Sequence, residues 1–494
     1  MKRAVVAAAL GIVLLLAGCS TDRVSGEGLY LRAQAQDGAG AHRTALDLYT
    51  QAQPLLRREG NTALLGDCRR AIKRLSLILD SYAATERDVR DTLGRTFPGI
   101  SEITLGRLLA RIDSRQIEGS RQYYQDFINT VIHLDLSLMQ RLPEEMERNR
   151  AGYALLKPFV EQPGPAAGAP FRNPRTYTAT ATYDVPRNLL PATGTLKIWQ
   201  PVPIRTDCQT DVTIVSVSPP QYAKNPASLE GGLGDLYLEV PLEELAADLK
   251  IEVTFRFRHF EQRFTMIDPG DVGTYDRGGE LYRTYTASGK NTAVTPEIAA
   301  KARDVAAGEQ NPYRAARRIY DYIVDGLTYS HTPHGALGAL NTPESNWVHE
   351  RQYGDCGAQS MYFAALCRSL GIPARTTGGY QLFPGMEGGH FWAEFYLPNY
   401  GWIPVDTSVA QIANYLPELT AAERAAFKDY FFGSMDHYRW VVQRDVDLPF
   451  VPAAPEPTLL SMTLQSPALL CDTMDEIPEA VIWPHYRIRF TREP

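Results

Sequence analysis

Cysteine, histidine and aspartate occur in this chain in an order that suits nucleophilic catalysis. Cys356 lies in YGDCGAQSMYFAALCRSLGIPAR, residues 353–375, and His390 and Asp406 follow in GGHFWAEFYLPNYGWIPVDTS. A cysteine becomes an effective nucleophile when a neighbouring base takes its proton and a third group orients that base. The three residue types therefore predict acyl transfer through a thioester, provided that the fold brings them together.

Cys356 is expected at the start of a helix. From Gln359 to Leu370 the apolar residues recur on one helical face, and Gly371 followed by Ile-Pro ends the segment. The unpaired N–H groups and the dipole at a helix start favour a thiolate. Cys367 lies about 16 Å further along the helix axis, too far for a disulfide with Cys356, and is expected in the core.

Two strands joined by a turn are expected to position His390 and Asp406. Apolar residues alternate from Phe391 to Leu397, which predicts a half-buried strand, and Pro-Asn-Tyr-Gly forms the turn. A loop of two or four residues would place His390 and Asp406 on opposite faces of the sheet. A loop of three residues, or a bulge, places them on one face as diagonal neighbours, roughly 7–8 Å apart. Burial favours the second register; the alternative is that His390 is a surface histidine at a strand edge.

The whole sequence predicts an α+β multidomain protein. Its hydrophobic and charged fractions, 44% and 22%, are those of a globular protein. The periodicity divides it into seven segments. They are a leader (1–18), a lipid-anchored tether (19–40), a helical region (41–160), a Pro/Gly/Ala linker (161–170), an antiparallel β-sandwich (171–265), a catalytic core (266–430) and a mixed C-terminal segment (431–494). Within the helical region, residues 121–142 show helical spacing throughout.

The first residues, MKRAVVAAALGIVLLLAGCS, have the pattern of an export signal. Their end, Leu-Ala-Gly-Cys19, resembles the lipobox of prokaryotic lipoproteins, which implies lipid attachment at Cys19. The alternative is an ordinary signal peptide with a chance cysteine. We therefore expect a mature protein that faces outside the cytoplasm, periplasmic or extracellular, anchored to the cell membrane or outer membrane by lipid.

Composition and spacing argue against several other kinds of site. The net charge of −7 and the lack of a basic block exclude nucleic acid as the main partner. Beyond Cys19 the cysteines are odd in number, so at least one free thiol is expected, and none has zinc spacing. His331 and His334 are read as loop histidines. No metal or cofactor is expected, and Glu387, Asp436 and Asp445 are read as solvated charges.

The two quoted segments resemble the core of the transglutaminase-like superfamily, a papain-like thiol fold, clearly over 326–410 and more loosely over 295–430. The resemblance rests on the Gly-Asp-Cys helix start, Leu-Gly-Ile-Pro-Ala-Arg, His-Phe-Trp and Gly-Trp-Ile-Pro-Val-Asp. It implies a catalytic triad of Cys356, His390 and Asp406. It also implies an oxyanion donor upstream, for which the candidates are Tyr329, with Trp347 behind it; a core tyrosine is the alternative for Tyr329.

Trp392 and Trp402 are expected to form the aromatic wall of the cleft, next to the predicted triad. The resulting hypothesis is an extracytoplasmic thiol enzyme that acts on peptide or isopeptide amides of proteins or of the cell envelope. Analogy with the family favours hydrolysis, by a protease or amidase, over cross-linking. The alternative is a non-catalytic surface or assembly lipoprotein that uses the same fold as a scaffold.

Overall fold

The structure, a computed structural model, describes residues 25–162, 170–454, 465–471 and 483–493. The predicted leader, Cys19 and most of the predicted linker lie outside these ranges. The chain forms two compact units, of which the first ends at Ile72 and the second begins at Lys73. Within the described residues, no helix combines the length and apolar character needed to cross a membrane.

Helices dominate residues 25–162. In chain order the elements are α1 (Gly26–Gly38), α2 (His42–Glu59), α3 (Thr62–Ser81), β1 (Ala84–Thr85), α4 (Glu86–Thr96), α5 (Glu102–Leu109), β2 (Ser114–Ile117), β3 (Ser120–Tyr123), α6 (Phe127–Leu134), α7 (Leu136–Met139) and α8 (Pro143–Glu161). The helical spacing over 121–142 corresponds to α6 and α7, but the start of that range lies in β3, where the helical interpretation is wrong. Glu118 and Gly119 both have positive φ, +51° and +77°, which closes a two-residue hairpin between β2 and β3.

Strands dominate the next part of the chain. They are β4 (Phe171–Val185), β5 (Thr195–Pro201), β6 (Gln209–Ser218), β7 (Asp235–Pro241) and β8 (Leu249–Arg263). The alternating apolar residues of β4 and β8 are buried on one face, as in Ala179 and Val253. Their period of two matches the strand pleat, which is why this segment forms sheets.

Helices and strands then alternate to the C-terminus. The elements are α9 (Glu280–Thr286), α10 (Pro296–Ala306), α11 (Pro312–Gly326), β9 (Thr328–Tyr329), α12 (His334–Ala339), α13 (Glu344–Arg351), β10 (Tyr353–Gly354), α14 (Cys356–Ser369), β11 (Ala374–Gln381), β12 (Gly388–Leu397), β13 (Gly401–Val405), α15 (Thr407–Ala410), α16 (Ile412–Tyr415), α17 (Ala421–Tyr430), β14 (Ser434–Met435), β15 (Arg439–Gln443), β16 (Ala468–Cys471) and β17 (Tyr486–Arg492).

An antiparallel sheet in the order β13-β12-β11-β15 carries the predicted site, and α14 packs against β11 and β12. Phe363 of α14 and Phe395 of β12 share one buried core. A short parallel pair, β9 with β10, aligns Tyr329 with Gly354, two residues before Cys356. The sheet and this pair therefore bring the distant segments of the predicted site into one region.

The C-terminal segment is divided between two structures. β15 completes the sheet that carries the predicted site, whereas β14, β16 and β17 join two further antiparallel sheets of orders β14-β8-β4-β17, with β6 beside β8, and β16-β5-β7. Those two sheets share one hydrophobic core. Tyr380 of β11 and Trp440 of β15 belong to the same core, so the sandwich and the site-bearing sheet support each other.

Gly379 occupies a position in β11 that has no room for a side chain. A Cβ atom there would lie 1.8 Å from the carbonyl oxygen of Trp440, beside a register shift between β11 and β15. We expect Gly379→Ala to lower the free energy of unfolding by about 1–3 kcal/mol, because the backbone must move to relieve the clash. Gly388→Ala is the matched control, since nothing lies within 4 Å of its Cβ position. Equal unfolding midpoints in urea for the two variants would contradict this expectation.

Candidate active site

Cys356 is the first residue of α14, as predicted, and its side chain is half-buried. Asp355 caps the helix, because its Oδ1 accepts a hydrogen bond from the Ala358 N–H at 3.0 Å. Cys356 packs against Phe391, and the backbone N–H of Phe391 lowers the pKa of the thiol, so the sulfur lies near the segment that contains His390. Cys356 and Cys367 are not joined in a disulfide, and Cys367 lies inside the core.

The N–H groups at the helix start favour a thiolate, as expected, but other effects outweigh them. Burial and the nearby carboxylate of Asp355 raise the pKa of the Cys356 thiol well above its ordinary value, and Asp406 adds to this effect. The N–H groups of Phe391 and Gly357 lower the pKa, but they do not outweigh burial. A thiolate at Cys356 therefore needs a base that takes its proton.

His390 and Asp406 lie on one face of the sheet, in contact with each other. Leu397 pairs with Gly401, so the connection between β12 and β13 has three residues, which is the register that burial favoured. Gly401 has φ +81°, a left-handed conformation that suits glycine at the end of such a loop. The imidazole Nε2 of His390 lies 2.8 Å from Asp406 Oδ2, and both side chains are buried. The Nδ1 atom of His390 is thereby left for another partner.

Arg439 and Asp436 extend this contact into the interior. The guanidinium of Arg439 donates to Asp406 Oδ2 at 2.7 Å and to Asp436 Oδ2 at 2.8 Å, and all three residues have 0% exposure. His390 and Arg439 hold the pKa of Asp406 far below its usual range, against the effect of burial. The interpretation of Asp436 as a solvated charge is therefore wrong, and Arg439 is a site residue that the sequence did not reveal.

The interpretation of Asp445 as a solvated charge is also wrong. Its Oδ2 accepts from Arg368 of α14 at 2.7 Å, and its Oδ1 accepts from the Thr376 N–H at 3.1 Å. It links the far end of the cysteine helix to β11. Glu387 is exposed, as expected.

Of the two oxyanion candidates, the structure places only Tyr329 near Cys356. Burial raises the pKa of Tyr329 far above its ordinary value, and the proximity of Cys356 raises it further. Trp347 is buried, and its indole N–H donates to Asp113 Oδ2 at 3.3 Å. A donor committed to a buried carboxylate cannot also serve a substrate, so the prediction for Trp347 is wrong.

The predicted aromatic wall does not form. Trp392 has 0% exposure and packs in a cluster with Ile204 and Cys208, because the face of β12 that was expected to be open is covered. Trp402 pairs with Tyr396, six residues and about 20 Å along the strand from His390. It stacks with Arg375, 4.0 Å from the ring centre. Neither tryptophan lines an open cleft next to Cys356.

His334 bridges two carboxylates beside the cysteine helix. Its Nε2 lies 2.7 Å from Asp355 Oδ2 and its Nδ1 lies 2.8 Å from Glu344 Oε1. Burial alone would lower the pKa of His334, but the two carboxylates outweigh it and raise the pKa well above its ordinary value. Burial would likewise raise the pKa of Asp355, but His334 and the Ala358 N–H lower it to about 2. His331 makes a separate contact with Asp126, 2.5 Å away.

The His334 bridge predicts a stability effect that depends on pH. A raised pKa in the folded state contributes stability that is complete below about pH 6.5, the unfolded value, and is lost as the pH rises through the folded pKa. We expect His334→Gln to lower the free energy of unfolding at pH 6 by about 1–2 kcal/mol, because it removes charge-assisted hydrogen bonds at a partly exposed site. The difference in the free energy of unfolding between the wild-type protein and His334→Gln should become smaller in alkaline solution. Urea unfolding from pH 6 to 10 measures it.

His349→Gln is the control for this measurement. Burial lowers the pKa of His349, so its substitution should show no loss that is specific to low pH. A His334→Gln loss that is constant across the pH range would contradict the charged bridge.

The described ranges contain no group of three or more His, Cys, Asp or Glu side chains that could hold a metal ion. The site consists of a thiol, an imidazole and a buried carboxylate–guanidinium pair. Such a set can move a proton and form a covalent bond to carbon without a cofactor.

Part of the chain matches the sequence profile of a known family. The sequence profile of the transglutaminase-like superfamily matches residues 299–407. An uncharacterized curated protein of Haemophilus influenzae is 25% identical over 315 residues, which cover 55% of this chain and 80% of the relative.

Two solved structures are also similar. One is a protein of Cytophaga hutchinsonii named as a candidate cysteine protease, 14% identical with a TM-score of 0.39, covering 66% of this chain and 92% of that chain. The other is the periplasmic domain of TgpA from Pseudomonas aeruginosa, 13% identical with a TM-score of 0.24, covering 50% and 96%. The match to the transglutaminase-like superfamily is confined to residues 299–407 of the 494.

Proposed function

We propose that the protein is a thiol enzyme that cleaves peptide or isopeptide amides through a thioester on Cys356. One observation supports this proposal above the others: His390, which lies 2.8 Å from Asp406, is followed in the chain by Phe391, against which Cys356 packs. A non-catalytic scaffold would have no need to keep a thiol, an imidazole and a buried carboxylate in one place.

In the first step, His390 takes the proton of Cys356 and the sulfur attacks the carbonyl carbon of the amide. Asp406 fixes the orientation of the imidazole through Nε2 and stabilises its positive charge. The buried carboxylate stays ionised, because Arg439 and His390 hold its pKa low. The base is required, because burial keeps the free thiol of Cys356 protonated.

In the second step, the oxyanion collapses, the C–N bond breaks and the imidazolium gives its proton to the leaving amine. The backbone N–H of Cys356 has no partner within the helix and can stabilise the oxyanion. The hydroxyl of Tyr329 is our candidate for the second donor. Water then attacks the thioester, with His390 as the base again, and releases a carboxylic acid and the free thiol.

We further propose that this enzyme is exported and anchored by lipid at Cys19. The support is the leader sequence, MKRAVVAAALGIVLLLAGCS, which combines a basic start, an apolar run and a cysteine after small residues. The proposed substrates are therefore peptides, proteins or cell-envelope amides outside the cytoplasm. Release of the Cys19→Ser protein from the membrane fraction is the expected result.

The test of the activity is mass spectrometry of peptides incubated with the wild-type protein and with Cys356→Ala. We expect chain cleavage, or the small mass gain of glutamine deamidation, only with the wild-type protein. Joined peptides would instead mean cross-linking and would overturn the preference for hydrolysis.

A thiol-reactive probe separates the enzyme from a scaffold. We expect the probe to label Cys356 faster than Cys367, which is fully buried in the same helix. The enzyme proposal fails if Cys356 is labelled no faster than the other thiols and Cys356→Ala changes no product. Those results would favour the assembly protein that the fold could also support.

A further inference from the structure

A cavity of about 250 Å³ lies between the helical region and the transglutaminase-like domain, on one side of Tyr329. α6 and the residues after it form one wall, and the segments around β9 and α16 form the other. Its lining residues are His133, Leu136, Asp325, Leu327, Thr328, Tyr329, Gln411, Asn414 and Tyr415. We name this cavity the Tyr329 pocket.

Tyr415 provides an unused polar group in the Tyr329 pocket. The residue is only 9% exposed, and its hydroxyl has no hydrogen-bond partner among the described residues. A buried hydroxyl without a partner is unfavourable, and a polar ligand group at this position would satisfy it.

His133 provides a hydrogen-bond acceptor. Its Nδ1 lies 2.8 Å from the carbonyl oxygen of Asn129, and a carbonyl can only accept, so Nδ1 carries the proton. Burial lowers the pKa of His133 to about 4, so the ring is neutral near pH 7 and Nε2 keeps a free lone pair. His133 therefore adds a second acceptor to the pocket wall.

The rest of the lining suits a cation. The rings of Tyr329 and Tyr415 lie 5.1 Å and 4.8 Å from the His133 ring, which creates an aromatic wall. No lysine or arginine lines the pocket, and the carboxylate of Asp325, 61% exposed, lies at its rim. Lys428 contacts Asp325 at 2.6 Å but is not a lining residue. A primary ammonium group has three donors and no acceptor, and it is attracted by aromatic faces.

The pocket is close to the nucleophile. Tyr329 pairs with Gly354 across β9 and β10, and the charge of Cys356 influences the Tyr329 hydroxyl. A group bound in the pocket, beside Tyr329, is therefore near Cys356.

We propose that the Tyr329 pocket binds a primary ammonium group of the substrate, carried on a side chain next to the amide that Cys356 attacks. This proposal rests on the proposed function and names the substrate class: peptides or envelope amides with a free amino group near the scissile bond. The helical region, through His133, then contributes to substrate selection.

Binding tests this pocket without catalysis. We expect n-pentylamine to bind the Cys356→Ala protein about tenfold or more tightly than 1-pentanol, which has a similar shape and no charge, in calorimetric titrations at pH 7. Adding Tyr415→Phe or His133→Leu should bring the two affinities within about threefold of each other. Tyr430→Phe is the matched control, because the Tyr430 hydroxyl is also buried without a partner but does not line the pocket.

Equal affinities of the amine and the alcohol, or a loss with Tyr430→Phe as large as with Tyr415→Phe, would overturn the pocket assignment. Because the protein titrated lacks the thiol, either outcome is independent of whether Cys356 is catalytic. With the active protein, peptides that carry lysine should show a kcat/KM about tenfold above the same peptides with Nε-acetyl-lysine, and Tyr415→Phe should remove that ratio. An unchanged ratio in Tyr415→Phe would also overturn the proposal.

Discussion

His390→Ala is expected to lower kcat/KM for amide cleavage at least about 10³-fold, equivalent to about 4 kcal/mol of transition-state stabilisation. The physical reason is the state of the thiol. Burial and Asp355 raise the pKa of Cys356, so without a base almost none of the nucleophile is ionised near neutral pH. The measurement is the initial rate of cleavage of a peptide that the mass-spectrometric assay identifies as a substrate.

Alkylation of Cys356 by iodoacetamide gives a second readout of the same effect. In the wild-type protein the rate should be appreciable near neutral pH, whereas in His390→Ala it should rise only in strongly alkaline solution. His349→Ala is the control, since His349 Nδ1 lies 2.9 Å from the Tyr362 hydroxyl and makes no hydrogen bond to Asp406. Cleavage by His390→Ala within a few-fold of the wild-type rate would rule out His390 as the base.

Arg439→Met is expected to lower the free energy of unfolding by about 3–5 kcal/mol. The substitution keeps much of the side-chain volume but leaves the carboxylates of Asp406 and Asp436 buried without their shared cation. Both carboxylates have 0% exposure, so water cannot replace the guanidinium. Urea unfolding monitored by circular dichroism measures the change.

A double-mutant cycle separates the ion pair from the packing of Arg439. Asp436→Asn removes one charge, and the double variant Arg439→Met/Asp436→Asn should lose less stability than the sum of the single variants. Strict additivity would mean that the loss comes from packing alone. Arg439→Met should also reduce kcat more than KM changes, because Asp406 then lacks the contact that fixes its position.

The helix that begins at Cys356 and the strand register that brings His390 to Asp406 could be predicted from the sequence. Gly371 and the apolar stripe define α14 through short-range rules, and the structure begins this helix at Cys356. The alternation on β12 and β13 requires a three-residue loop if both apolar sets face one core, and the register has that loop. Both inferences depend only on residues that are close in the chain.

Arg439 could not be found in the same way. It lies 33 residues after Asp406, and the contact depends on β15 joining the opposite edge of the sheet from β13. Local sequence around Asp436 and Arg439 has no feature that separates a buried ion pair from solvated charges. The prediction that Trp402 lies next to the site was wrong for a related reason. Alternation shows which face of the strand a residue lies on, but it does not show how far along the strand that residue is from His390.

The pairing of β15 with β11 determines which fragments of the protein can be expressed separately. A fragment limited to the family match, residues 299–407, ends before Arg439 and the strand that carries it. Such a fragment would expose the edge of β11, where unpaired backbone N–H and C=O groups promote aggregation. It would also leave the carboxylate of Asp406 without the guanidinium of Arg439. The part of the chain that must fold to form the candidate site is therefore larger than the segment that matches the family model, and it includes residues that follow that segment.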